Sequence, residues 1–323
     1  MADYLPLNNL AARQYIDARQ TFVALREAQA EALQVRGGMY WHGQSDSLIR
    51  TSAHGAEKSL GKRTAQLEKI YLDFMARKER NQERVRALKA QVRSHERMNK
   101  ALYVGRVDPL VTSLINRLEK AEVASSFHVV GTHALYAYEA AAGVHLEAGI
   151  VATRDIDLLW DVRKRMHFWT QMERLDTTFL ALLQKVDKTF SLRKGQLYTA
   201  VNNEGFEVDI LRRMAEPGDP HPIKLGRRTK GEQALKNPED IEDFSVVQAL
   251  RAGILLDRPS FETVIVDRNG GMAMMRTVAP QVFVNFKKWL SSLKDREPIK
   301  RQRDAAQARA IEELIKDERL VLV

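Results

Sequence analysis

The run Thr153-Arg154-Asp155-Ile156-Asp157-Leu158-Leu159-Trp160 places two carboxylates one residue apart inside an apolar, strand-forming stretch. Alternate side chains of a strand share a face, so Asp155 and Asp157 point one way while Ile156 and Leu158 point into a core. Like charges held this close repel unless a cation lies between them. A fold that contains this strand must keep one part of one sheet face polar and open.

Two other segments fit the same frame. Upstream, the apolar run Phe127-His128-Val129-Val130 ends in Gly131-Thr132 ahead of a helical pattern that reaches about Ala142. Downstream, Gln196–Val201 and Phe206–Leu211 flank Asn202-Asn203-Glu204-Gly205, which reads as a hairpin whose second strand carries Asp209. Between the diacid strand and this hairpin, the apolar spacing predicts one helix from Trp169 to Phe190. Residues 126–215 therefore read as an α/β sandwich of modest size.

The flanking regions read as mostly helical. Residues 1–125 contain a helix capped at Asn8 or Asn9 that stops at Gly37-Gly38, then a small hairpin around Gly43-Gln44-Ser45-Asp46. A long helix follows from about Thr64 to Leu102, and another from Pro109 to Ala124 with Asp108 as its cap. Residues 61–100 hold twelve Lys and Arg against five Asp and Glu. Residues 216–323 open with a Pro/Gly/basic loop over 217–236. After it the pattern predicts a helix over 239–256, a hairpin turning at Arg268-Asn269-Gly270-Gly271, and helices over 280–293 and 298–317. That end carries a basic cluster of Lys287, Lys288, Lys294, Arg296, Lys300, Arg301 and Arg303.

Composition removes several classes of function. The chain has no cysteine, which excludes disulfides and thiolate metal sites and is compatible with a reducing, cytoplasmic setting. No apolar run approaches the roughly 20 residues that span a bilayer, and no secretory signal is visible. The net charge of +9 favours polyanionic partners such as nucleic acid or nucleotides.

Clustered carboxylates beside a glycine turn suit phosphoryl or nucleotidyl transfer. That chemistry needs a hard cation on the phosphates and an activated hydroxyl next to them. Asp155 and Asp157 can bridge Mg²⁺ (or Mn²⁺) ions, and Asp209 can complete the site. Gly131 lets phosphate approach the backbone, and Thr132 adds a hydroxyl at a helix start.

The set Gly131-Thr132, Asp155-Ile156-Asp157 and Asp209 resembles the nucleotidyltransferase superfamily typified by DNA polymerase β. The chain is also similar to bacterial nucleotidyltransferase-fold proteins through Lys58–Gly61, Val130–Glu139, Asp155–Asp161, Phe283–Ser291 and Arg301–Asp304, so the resemblance covers most of the chain from about residue 37 to the end. It implies an α/β (α+β) mixed-sheet core with helical N- and C-terminal extensions, and an NTP, ATP included, as substrate. Related toxin and abortive-infection nucleotidyltransferases share the core and a C-terminal lysine followed by a basic-acidic pair. In that light Lys287 contacts the triphosphate and Arg303-Asp304 lies near the site. Thr132 stands where the superfamily usually has serine or glycine. The spacing from Gly131 to Asp155 is long, which makes Gly143–Ala152 an insertion, a flap or a specificity loop.

Each residue also has a plainer reading. Asp155 and Asp157 can pair with Arg154 or Arg163 on an edge strand, Asp209 with Arg212 or Arg213, and Glu207 is a rival ligand on the same face. Thr132 can be an N-cap, His133 a solvent-facing helix-start residue, and His128 structural. The acceptor reads as tRNA or other RNA, a protein side chain or a small molecule. The alternatives to an RNA-modifying enzyme are a protein-modifying one and a catalytically idle nucleotide- or RNA-binding module. The long helix serves as an RNA-binding face, an antitoxin site, a homo-oligomer interface or simply a solvated surface.

Overall fold

The computed structural model describes residues 4–53, 55–219, 225 and 244–320. They pack into two compact units. One is residues 13–102, and the other combines residues 1–12 with residues 103–323.

The elements begin with β1 (Tyr4–Pro6) and α1 (Asn9–Gln34). Next come β2 (Gly38–His42), β3 (Ser47–Thr51), β4 (Glu57–Lys62) and α2 (Ala65–Ala101). Within residues 13–102, α1 and α2 run antiparallel. Gln14 donates to the Asn99 side chain at 2.9 Å, and Glu31 pairs with Arg84 at 2.8 Å near the other end. A buried amide pair of this kind fixes the register of two packed helices. The hairpin read around Gly43 is present, and β4 extends it to a three-stranded antiparallel sheet. That third strand contains Lys58 and Gly61. Thr64 caps α2 by accepting from the Leu67 N–H.

In the larger unit, α3 (Pro109–Lys120) is capped by Asp108 and starts with proline. Then follow β5 (Phe127–Val130), a 3₁₀ turn over Gly131–His133, α4 (Ala134–Ala142), β6 (Val144–Leu146), α5 (Ala148–Val151) and β7 (Asp155–Trp160). The chain continues through α6 (Arg165–Arg174), α7 (Phe179–Gln184), β8 (Ser191–Arg193), β9 (Gln196–Val201) and β10 (Glu207–Arg213). It ends with β11 (Val247–Ala249), β12 (Phe261–Val266), β13 (Met272–Thr277), α8 (Pro280–Ser292) and α9 (Pro298–Lys316).

The central sheet is mixed. Its strand order is β5-β7-β10-β9-β8, with β11 added to β10. β7 and β10 are parallel, while β5–β7 and β9–β10 are antiparallel. The alternation in β7 sends Ile156, Leu158 and Trp160 into one core, with α3, α6, α7 and the β12–β13 hairpin. Leu159 faces the other core, formed by α4, α5, α8 and α9. Asp155 and Asp157 share the Leu159 face, and Asp209 shares the Leu211 face beside it.

Two helix expectations change. The single helix over 169–190 is two helices, because Asp176 adopts a left-handed φ of +47° and Thr178 caps α7 through the Ala181 N–H. The helix over 239–256 has residues 239–243 outside the described region. The rest forms β11 and a 3₁₀ turn, because the end of β10 beyond its pairing with β9 leaves backbone groups that β11 satisfies. The loop over 217–236 lies mostly outside the described residues.

The segment Gly143–Ala152 is not a loose flap. β6 pairs with β1, and Val144, Leu146, Ile150 and Val151 are buried. Leu146→Ala should therefore lower stability by about 2–5 kcal/mol, as for a packed core leucine. Urea unfolding measures this, and a cost below about 0.5 kcal/mol would match a surface flap instead.

Candidate functional site

Parallel pairing sets the acids in register. Asp157 lies opposite Asp209, and Asp155 lies opposite Glu207. All four are partly exposed, while Ile156, Leu158, Val208 and Ile210 between them are buried. One patch of sheet thus carries four carboxylates.

The glycine turn lies against this patch. Gly131 has φ +66°, and a Cβ there would fall 2.1 Å from Asp157 Oδ2. Both the backbone conformation and the contact require glycine. Burial is the largest factor pushing the Asp157 carboxyl up to about 7, and the neighbouring Asp155 and Asp209 charges push it further the same way. Lys287 and Arg303 oppose that rise, so both cations lie within electrostatic reach of Asp157. The Asp209 carboxyl is also raised, first by burial, with the Thr199 hydroxyl hydrogen bond holding it down.

The side chains of the patch have local partners. Thr153 donates to Asp155, Thr199 Oγ1 donates to Asp209 at 2.5 Å, and Arg193 ion-pairs with Glu207. Among the described residues no three such side chains converge as a ready metal cage. The donors are all carboxylate oxygens, a set suited to a hard divalent ion such as Mg²⁺. The electrostatic strain on Asp157 is of the kind a bound cation relieves.

The plainer pairings do not occur. Arg163 bonds Asp161 at 2.8 Å, Arg154 reaches only the Glu204 carbonyl, and Arg213 pairs with Glu216 and Asp219. Arg212 is fully buried on the opposite face from Asp209.

Other expected residues take unexpected roles. Thr132 is buried and is not an N-cap, since its hydroxyl accepts from Gln307 Nε2 of α9 at 3.2 Å. His133 does not face solvent. It is 2% exposed, its Nδ1–H donates to the Asp155 carbonyl at 2.9 Å, and burial pushes its pKa down to about 4. Lys287 on α8 is buried and bonds Asp304 Oδ1 at 2.8 Å, while Arg296 holds the second Asp304 oxygen at 2.6 Å. Burial lowers the Lys287 pKa, and Asp304 and Asp157 counter that fall.

A cavity of about 340 Å³ opens between the sheet and α8. Gly131, Asp157, Lys287 and Arg296 line it together with Leu211, Phe286 and Trp289. Sequence reasoning missed Gln307 and Thr199 as parts of this neighbourhood, and had Arg296 only as one of the C-terminal basic cluster. Gln307 had one signal, because it stands four residues after Arg303 on the same helix face.

A family model described as Nucleotidyltransferase matches residues 110–322. No curated protein and no solved structure gives a significant match. No described helix is long and apolar enough to cross a membrane. The matched span begins in α3, runs through Gly131, the diacid strand and Asp209, and ends after Lys287 and Asp304. This chain belongs to that nucleotidyltransferase family and is a transferase enzyme.

Proposed function

We propose that the enzyme moves an NMP from an Mg²⁺-bound NTP to a hydroxyl acceptor, with structured RNA, tRNA included, as the acceptor. The observation that carries this reading is the register of β7 against β10. It sets Asp157 beside Asp209, on the sheet face that also carries Asp155, next to the Gly131 turn.

Asp155, Asp157 and Asp209 would hold the metal. Bound there, a divalent ion neutralises phosphate charge and lowers the pKa of the acceptor hydroxyl. Gly131 has no side chain of its own, so the Asp157 carboxylate packs against the turn and a metal-bound phosphate would meet the backbone beside it. Lys287 and Arg303 supply positive charge within electrostatic reach of Asp157, where an outer phosphate would be met. Asp304 and Arg296 hold the Lys287 ammonium in place. Leu211, Phe286 and Trp289 give the cavity a dry wall, which strengthens each of these charge interactions. The acceptor class separates an RNA-modifying enzyme, toxin-type activity included, from a protein-modifying one. One assay reads both.

Incubation with each labelled NTP and a mixture of cell RNA and protein should label RNA. Asp155→Asn or Asp157→Asn should abolish transfer. Label on protein alone would overturn the RNA reading, and full activity in either variant would remove that aspartate from the reaction.

Asp157→Asn should also raise the thermal midpoint, by roughly 2–4 °C for each kcal/mol of relieved strain. A carboxyl with a raised folded pKa costs stability as pH climbs from its ordinary value of 3.8 to about 7. The gain should thus appear across that window, persist above it and vanish in acid. An unchanged melting curve at pH 8 would contradict the crowding of these carboxylates.

Lys287→Ala should weaken NTP binding by roughly tenfold or more, the loss of one charge on the triphosphate. Calorimetry with Mg²⁺ on protein shown to be folded measures it. Unchanged affinity would confine Lys287 to its pairing with Asp304.

A further inference from the structure

The basic surplus of the chain is concentrated in one unit. Residues 13–102 carry eighteen Lys and Arg against ten Asp and Glu, a surplus of eight within a net charge of +9. The unit that contains the acid patch is close to neutral.

The surplus is also ordered along α2. Toward its start, three cations pair with carboxylates or a carbonyl of the same unit. Arg63, just ahead of the helix, pairs with Asp46 and Glu68, Lys78 donates to the Gly37 carbonyl, and Arg84 pairs with Glu31. From residue 86 the pattern changes. Arg86, Lys89, Arg93, Arg97 and Lys100 recur at steps of three and four. At 3.6 residues per turn they fall within an arc of about 80° and along about 21 Å of helix. All five are exposed, and Glu96 is the single acid between residues 86 and 100. The helix buries Val92 and Asn99 on an adjacent face, so packing within the unit leaves the stripe uncovered by that contact.

A straight row of cations, one about every 5 Å, matches a linear polyanion of regular pitch. The stretch has no Phe, Tyr or Trp to stack on an unpaired base, so it suits backbone contact with a paired stem rather than a splayed single strand. We propose that the C-terminal half of α2 is the docking surface for the phosphodiester backbone of base-paired RNA. The identity of the polyanion rests on the RNA-acceptor reading above.

The test uses the full chain and an RNA hairpin stem, with binding followed by anisotropy without NTP from low to moderate salt. Each phosphate contact on a duplex contributes about 0.9 to the slope of log K against log salt, so five contacts give roughly 4.5. The triple variant Arg86→Gln, Lys89→Gln, Arg93→Gln should lower that slope by roughly 2.7. A control triple, Lys69→Gln, Arg77→Gln, Arg80→Gln, removes the same charge from other exposed positions of α2 and should leave the slope near that of the wild type.

Equal flattening by both triples, or by neither, overturns the stripe while leaving the transfer reaction standing. Displacement of the RNA by polyglutamate at matched charge overturns the RNA assignment, because the surface would then read bare charge. A stem that fails to bind even in low salt overturns the stripe. If RNA also takes no label in the transfer assay, the acceptor reading falls with it, so the two failures are told apart.

Discussion

Repulsion among carboxylates brought into register by one parallel strand pair is the constraint on which the rest of the larger unit depends. Pairing β7 with β10 sets Asp157 across from Asp209 and Asp155 across from Glu207. The chain answers this crowding locally, with Thr153 on Asp155, Thr199 on Asp209 and Arg193 on Glu207. Asp157 has no such hydroxyl in that set and carries the largest shift, to about 7. The acid pushed up to about 7 is also the one pressed against Gly131.

The surrounding helices are tied to that point through polar bonds inside an apolar core. Gln307 joins α9 to Thr132 and to the Ile150 carbonyl, so α9 braces the turn that presents Gly131. Lys287, Arg296 and Asp304 join α8 and α9 around one buried carboxylate. A buried ion pair that loses one partner costs several kcal/mol, because the other charge is left uncompensated. The geometry near Asp157 is therefore held by interactions that fail together, a property that favours a fixed site over a plastic one.

Much of this was legible in the sequence because its signals are local. Alternation marked β7, turn residues marked the β9–β10 and β12–β13 hairpins, and Thr64 and Asp108 marked helix starts. The diacid and Asp209 could be placed on adjoining strands without knowing their register. What stayed hidden depends on distant partners. β11 is a strand because β10 has unpaired backbone, a fact that no window around Val247 contains. β6 is core because β1, well over a hundred residues earlier, pairs with it. The helix break at Asp176 arises from a left-handed residue that apolar spacing does not register. Lys287 read as a cation poised for phosphate, and only the packing of α8 on α9 reveals its buried partner Asp304.

We propose that the aligned acids form one divalent-cation site. Electron paramagnetic resonance titration of Mn²⁺, with a non-hydrolysable NTP present, measures it on the wild type and on Asp155→Asn, Asp157→Asn and Asp209→Asn. Each variant should bind Mn²⁺ more weakly, by roughly tenfold or more for the loss of one charged ligand. Equal Mn²⁺ affinity in the wild type and all three variants would contradict it.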